Sequence, residues 1–124
     1  MDKADKALAS ARLLRDAGDS DGASNRACYA MFDAAIAALV WAGAIAENKP
    51  PKTHGGLIGA FGLHLVQAEW LPAEFGRSLN RVQELRLTGD YFAAPVPADK
   101  AERAVQEAET FVAGVHQLLA RPKI

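Results

Sequence analysis

From Ala27 to Ala46 the chain carries a single charge, Asp33, and almost every other residue is apolar. A helix that is apolar around its whole circumference has to be covered on several sides, so the fold must be built around this segment. Its length is near the ~20 residues that span a bilayer. Its composition argues against a span: alanine supplies little transfer energy, and a charged Asp near a helix centre costs roughly 2.5–3.5 kcal/mol in lipid. A core helix is the expectation, with no membrane association. The opening Met-Asp-Lys-Ala-Asp-Lys lacks the basic lead into an apolar run that marks a secretory signal.

The flanking segments have helical periodicity. Ala4, Ala7, Leu8, Ala11 and Leu14 recur at three- and four-residue steps and predict a first amphipathic helix. Gly18 ends it, and Asp19-Ser20-Asp21 offers N-caps for the second helix, expected over about Gly22 to Glu47. Asn48 to Lys52, with Pro50-Pro51, reads as a loop. Thr53 is a candidate N-cap for a third helix through about Gln67, where Gly55, Gly56, Gly59 and Gly62 predict close packing or irregularity. Pro72 opens a fourth helix carrying Leu79, Val82 and Leu85, which Gly89 should fray or end before a loop from Phe92 to Pro97. Pro97-Ala98-Asp99 starts the last, whose stripe of Ala101, Ala104, Ala108, Phe111, Val115 and Leu118 suits a core or a dimer seam. No segment alternates with period two and no internal repeat is visible, so the fold class is all-α, with four to five helices in one domain over residues 1–124.

At 124 residues and a net charge of −1, the chain can bury one core, and any nucleic-acid contact must come from a local patch. The lone Cys28 forbids an intrachain disulfide and fits a reducing cytoplasm. There is no phosphate-binding Gly loop, no nucleophile elbow and no zinc spacing. His54, His64 and His116 lack metal-ligand spacing, so no metal and no cofactor are expected.

One compact polar cluster remains, at the end of the fourth helix: Arg86, Asp90 one turn later, and Tyr91. Residues four apart share a helix face, so Arg86 and Asp90 form either an intrahelical pair worth about 0.2–0.5 kcal/mol or part of a site. In the site reading Arg86 grips a phosphate bidentately, beside a phenol and a carboxylate able to move protons. Arg77 and Arg81 extend a basic strip on the same helix, diluted by Glu74 and Glu84.

Asn25-Arg26-Ala27-Cys28-Tyr29-Ala30-Met31-Phe32 is similar to the Arg-Ala-x-Tyr-Ala-Met-Phe segment of HEPN-domain proteins. Thr53-His54-Gly55-Gly56 through Phe61 resembles the family's Thr-His-x-Gly…Phe segment. Leu71-Pro72, Arg86-x-x-x-Asp90-Tyr91 and Phe111-Val112 follow in the family's order. The resemblance covers about Ser10 to Leu119.

It implies an up-and-down bundle that forms a homodimer. Many such proteins are metal-independent endoribonucleases paired, as toxins, with a minimal nucleotidyltransferase (MNT) antitoxin, and their site is an Arg followed after four to six residues by a His. Arg86 matches that Arg. Tyr91, Phe92 and Ala93 occupy the places where the His would fall, and none is His. Asp90 and Tyr91 are the residues left to carry protons, and Tyr91 also matches the Tyr that a partner nucleotidyltransferase adenylylates in some pairs. Arg26, Tyr29 and His54 match the family pattern too, as structural residues or as contacts to RNA or a nucleotide together with Arg77 and Arg81. Arg26 has Asp33 and Asp90 as candidate ion-pair partners. Asp33 stands where the family often has His. The alternative is a non-catalytic module that binds a nucleotide or a protein.

Overall fold

The structure is a computed structural model that describes the backbone of residues 1–91 and 95–122, and side chains at 1–85 and 95–122. Its regular elements are helical: α1 (Asp2–Asp16), α2 (Ser20–Trp41), α3 (His54–Phe61) continuing into a π-turn (Gly62–Val66), α4 (Ala73–Tyr91) and α5 (Ala98–Leu119). The fold is all-α.

Two glycines punctuate the first half. Gly18 and Gly43 take φ of +83° and +75°, the left-handed geometry that glycine adopts without penalty. After α1, Gly18 N–H bonds to the Arg15 carbonyl and Asp19 N–H to that of Leu14. After α2, Gly43 N–H bonds to Val40 and Ala44 N–H to Leu39. Both are Schellman closures. The second overturns the expectation of a helix running to Glu47: α2 stops at Trp41 because Gly43 turns the chain while the sequence is still apolar. Asp19 caps α2 through Gly22 N–H at 2.9 Å, and Thr53 caps α3 through Gly56 N–H at 2.9 Å.

The third helical segment runs to Val66, close to the expected Gln67, but not as one α-helix. After Phe61 the ladder widens by one residue, with Gln67 N–H reaching back to the Gly62 carbonyl. Gly59 and Gly62 hold the α-form weakly, and packing decides the pitch. The chain then reverses at Glu69, whose φ is +63°, and Trp70 meets Trp41 edge to face at 5.0 Å. Helix α4 ends at Tyr91, two residues after Gly89 and just before the loop expected from Phe92.

Helix α2 is the axis. Ala23, Ala27, Ala30, Ala34, Ala35 and Ala38 are fully buried, as are Ala4 and Ala11 on α1 and Ala108 on α5. Small side chains on facing rows let α1, α2 and α5 approach closely. Met31, Leu39, Leu65, Phe111 and Leu118 fill the remaining space. The stripe on α5 is wholly buried, so it serves the core rather than a dimer seam.

Cross-contacts fix the directions. The exposed pairs His116–Asp5 (2.8 Å), Arg12–Glu109 (2.9 Å) and Arg15–Glu102 (3.5 Å) run α1 antiparallel to α5. Exposed pairs of this kind contribute about 0–1 kcal/mol each and tune register more than stability. Trp41–Trp70 at one end and Cys28–Gln83 further along set α4 antiparallel to α2. Helix α5 meets α4 at its start, where Phe75 stacks on Phe111 (5.4 Å) and Phe111 on Phe61 (5.3 Å).

Gly114 on α5 lies directly beneath the Phe75 ring, in the space a Cβ would occupy. Gly114→Ala is expected to destabilise the fold by about 1–3 kcal/mol, the usual cost of overpacking. Gly55, exposed on α3 with no atom near its missing Cβ, should instead gain about 0.4–1 kcal/mol on Gly55→Ala. Denaturant melts of both variants check this, and equal shifts would show that the Phe75–Gly114 contact does not set the α4–α5 spacing.

Candidate functional site

The motif-bearing segments meet along one side of α2. From α2, Cys28 Sγ lies 3.8 Å from Gln83 Oε1 on α4, a long contact in which the thiol is the donor. Four residues on, Phe32 stacks against His54, the first residue of α3, with ring centroids 4.3 Å apart. At the start of α2, Asp21 Oδ1 accepts the Val96 backbone N–H at 2.7 Å. That bond ties the end of the segment following α4 to the first turn of α2. The order Asp21, Cys28, Phe32 along one helix therefore gathers the entry to α5, the second half of α4 and the start of α3.

Arg26 and Tyr29 lie in the same stretch. The Arg26 guanidinium donates to Asn25 Oδ1 at 3.0 Å and sits 4.8 Å from the centre of the Tyr29 ring. A cation over an aromatic face is worth about 0.5–1 kcal/mol when exposed. Arg26 does not form the ion pair with Asp33 that spacing suggested, because the intervening two turns carry Tyr29, whose ring takes the cation. Their interaction is confined to a weaker through-space attraction.

Positions 79, 83 and 86 follow one another at four- and three-residue steps on α4. Of these, Leu79 is buried and Gln83 meets α2 through Cys28. The side chains of Arg86, Asp90 and Tyr91 lie outside the described residues, as do Phe92 and Ala93 entirely.

Arg77 and Arg81 belong elsewhere. Arg77 Nε donates to Glu74 at 3.0 Å. Arg81 is held from both sides, by Glu74 two turns earlier and by Glu107 from α5, the latter through Nε at 2.8 Å and also through Nη2. Ser78 adds a 3.3 Å hydrogen bond to the same Glu107 oxygen. Hydrogen bonds from Arg81 first, then Arg77, hold the Glu74 carboxyl below the usual carboxylate range. The two arginines expected to form a basic strip are thus largely neutralised. Glu107 was not legible as part of this cluster: it lies 26 residues from Arg81 and reaches it only because α5 returns antiparallel to α4.

Asp33 is half-buried in a cleft of about 680 Å³ walled by Met1, Ile36, Ala37 and Val40. Burial pushes its carboxyl above the usual range, and Lys3, the terminal amine and Arg26 pull it partly back. Among the described residues, no group of His, Cys, Asp or Glu is arranged to hold a metal ion, and no helix is long and apolar enough to cross a membrane.

Comparison with known proteins identifies the family. The HEPN domain model matches residues 1–118. A UPF0332 protein of Gloeobacter violaceus is 42% identical over 94 residues, which is 76% of this chain and 71% of that one. A Methanocaldococcus jannaschii protein named "Putative toxin" is 32% identical over 116 residues, 94% of this chain and 83% of its own. A UPF0332 protein of Thermotoga maritima is 29% identical over 118 residues, 94% of this chain and 86% of its own. The chain belongs to the HEPN domain family.

Because the Asp33 carboxyl binds its proton more tightly folded than unfolded, its contribution to stability is fully present below the unfolded value of about 3.9 and is lost as pH rises through the folded value. Asp33→Asn should therefore raise the melting temperature at pH 7 and raise it less near pH 4. Thermal melts at the two pH values check the sign, and an equal shift at both would remove burial as the cause.

Proposed function

We propose that this HEPN protein belongs to a toxin–antitoxin or defence pair, works in the cytoplasm as a homodimer, and acts on RNA. In this reading one HEPN domain per chain supplies Arg86 to hold the scissile phosphate, while Asp90 and Tyr91 take over the proton transfers that a His performs in the usual motif. The 2′-hydroxyl of the ribose is the nucleophile, so the chemistry requires no metal. Tyr91 is also the residue that a nucleotidyltransferase partner would modify, blocking the site by adding a bulky anion beside Arg86.

The observation that carries this reading is the convergence on α2 of segments distant in sequence, at Cys28–Gln83, Phe32–His54 and Asp21–Val96. Cys28, Phe32 and His54 belong to segments that carry the family resemblance, and Gln83 lies three residues before Arg86. The relative named as a toxin supports the biological setting.

One observation favours a second reading, a non-catalytic module that binds a nucleotide or a protein. Arg77 and Arg81, which would add to the attraction for an RNA backbone, are engaged by Glu74 and Glu107. A groove with its cations paired attracts polyanions weakly.

Cleavage of a mixed RNA pool in EDTA by the purified chain, beside Arg86→Ala and Tyr91→Phe, separates the two. The nuclease reading expects cleavage by the wild type and a loss of roughly 10²–10³-fold in Arg86→Ala, the range seen when one preorganised donor to a reacting oxyanion is removed. No cleavage by a folded wild type removes the nuclease reading and favours the binding module. Cleavage unchanged in Arg86→Ala would place the chemistry elsewhere.

A further inference from the structure

We infer that His54, which the first turn of α3 sets against α2, is a proton carrier that stands in for the missing motif histidine. The inference rests on the ribonuclease reading above and adds to it a residue from a different helix. Cleavage through the 2′-hydroxyl needs two proton transfers, one off the attacking hydroxyl and one onto the departing 5′-oxygen. A carboxyl and a phenol ordinarily titrate at about 4 and about 10, one on either side of neutrality. Imidazole titrates between them and suits both transfers at neutral pH.

The chain has three histidines, and the fold separates them. His64 is exposed on the π-turn. His116 is exposed on α5 and pairs with Asp5 of α1 at 2.8 Å. His54 packs on the side of α2 that Gln83 of α4 also meets. Thr53 caps α3 through Gly56 N–H, so that the helix begins at residue 54. The ring stacks on Phe32 at 4.3 Å, which sets its plane. The residue is half-buried, with part of its surface open to solvent.

The level of His54 along the bundle follows from two contacts. Helix α4 runs antiparallel to α2, and Cys28 meets Gln83. Phe32 lies one turn further along α2 than Cys28, so His54 stands opposite about position 79 of α4. At the other end of α3, which touches α4, Phe61 joins Phe75 through Phe111. Counting back along α3 from Phe61 brings His54 level with about position 82. Position 86 is then about 6–10 Å further along the α4 axis, at 1.5 Å per residue. An arginine side chain holding a phosphate, with the adjoining 2′-hydroxyl at the imidazole, spans such a gap. His54 takes the proton of that hydroxyl, the 2′-oxygen bonds to phosphorus, and the bond from phosphorus to the 5′-oxygen breaks. The 5′-oxygen leaves with a proton from Tyr91 or Asp90, which regains one from water, and the imidazolium gives its own to water. The products are a 2′,3′-cyclic phosphate and a 5′-hydroxyl.

Single-turnover cleavage of a labelled RNA in EDTA, read beside binding of the same RNA by fluorescence anisotropy, tests the assignment. His54→Phe keeps an aromatic ring on Phe32 and removes the ring nitrogens. His64→Ala and His116→Ala are the references, and circular dichroism confirms folding. The expected result is a cleavage rate lowered by roughly 10²–10⁴-fold in His54→Phe, with RNA affinity held and both references unchanged. His54→Ala, which opens space beside Phe32, should recover part of its rate in added imidazole. Cleavage by His54→Phe at the wild-type rate overturns the inference and leaves the nuclease reading standing on Asp90 and Tyr91. Loss of RNA binding along with cleavage also overturns it, since His54 is then a contact and not a proton carrier. A folded wild type that cleaves no RNA removes the nuclease reading and the inference together.

Discussion

The structure depends on close approach of backbones around α2. A helix lined by fully buried alanines offers its neighbours little side-chain volume, so stability has to come from many short contacts rather than a few large ones. That requirement places α1 and α5 directly against α2 and confines the large side chains to the periphery of the contact. Phe61, Phe75 and Phe111 stack at one end, and Trp41 with Trp70 sits beside it. The aromatic end is where α3, the π-turn and α4 join the three-helix core. Glycine at 114 is part of the same logic, because the Phe75 ring takes the space of its missing side chain.

Close packing also decides where polar chemistry can appear. With α1, α2 and α5 in tight contact, polar side chains between them are nearly excluded; buried Ser24, whose hydroxyl finds no partner among the described residues, is the exception. Helix α4 has a looser position. It covers α2 on one side and diverges from α5 on the other, so it carries the polar groups that face inward. One row leads through Leu79 and Gln83 towards position 86, and the other carries Ser78 and Arg81 into the groove with Glu107.

Membership of the HEPN family and the all-α fold were legible before any coordinates, because both rest on order: the periodic apolar steps and the succession of short motifs from Arg26 to Val112. Thr53 as a cap and Gly18 as a helix stop were legible for a local reason, since each acts within a few residues. The end of α2 was missed because Ala44, Ile45 and Ala46 keep the apolar pattern after Gly43 has already turned the chain. The π-turn was visible only as an excess of glycines. Gly89 marked the approach of the helix end, which falls two residues later at Tyr91.

The candidate site divides along the same line. Sequence by itself determined that Arg86, Asp90 and Tyr91 fall together at the end of one helix, because four-residue spacing is a local property of the α-helix. It also determined that the family's His is absent. Only the tertiary structure decided that Arg81 is held by Glu107 and that His54 packs on Phe32. Those pairings depend on which faces of separate helices meet, and that is set by how closely α1, α2 and α5 can pack, a quantity that no single segment encodes.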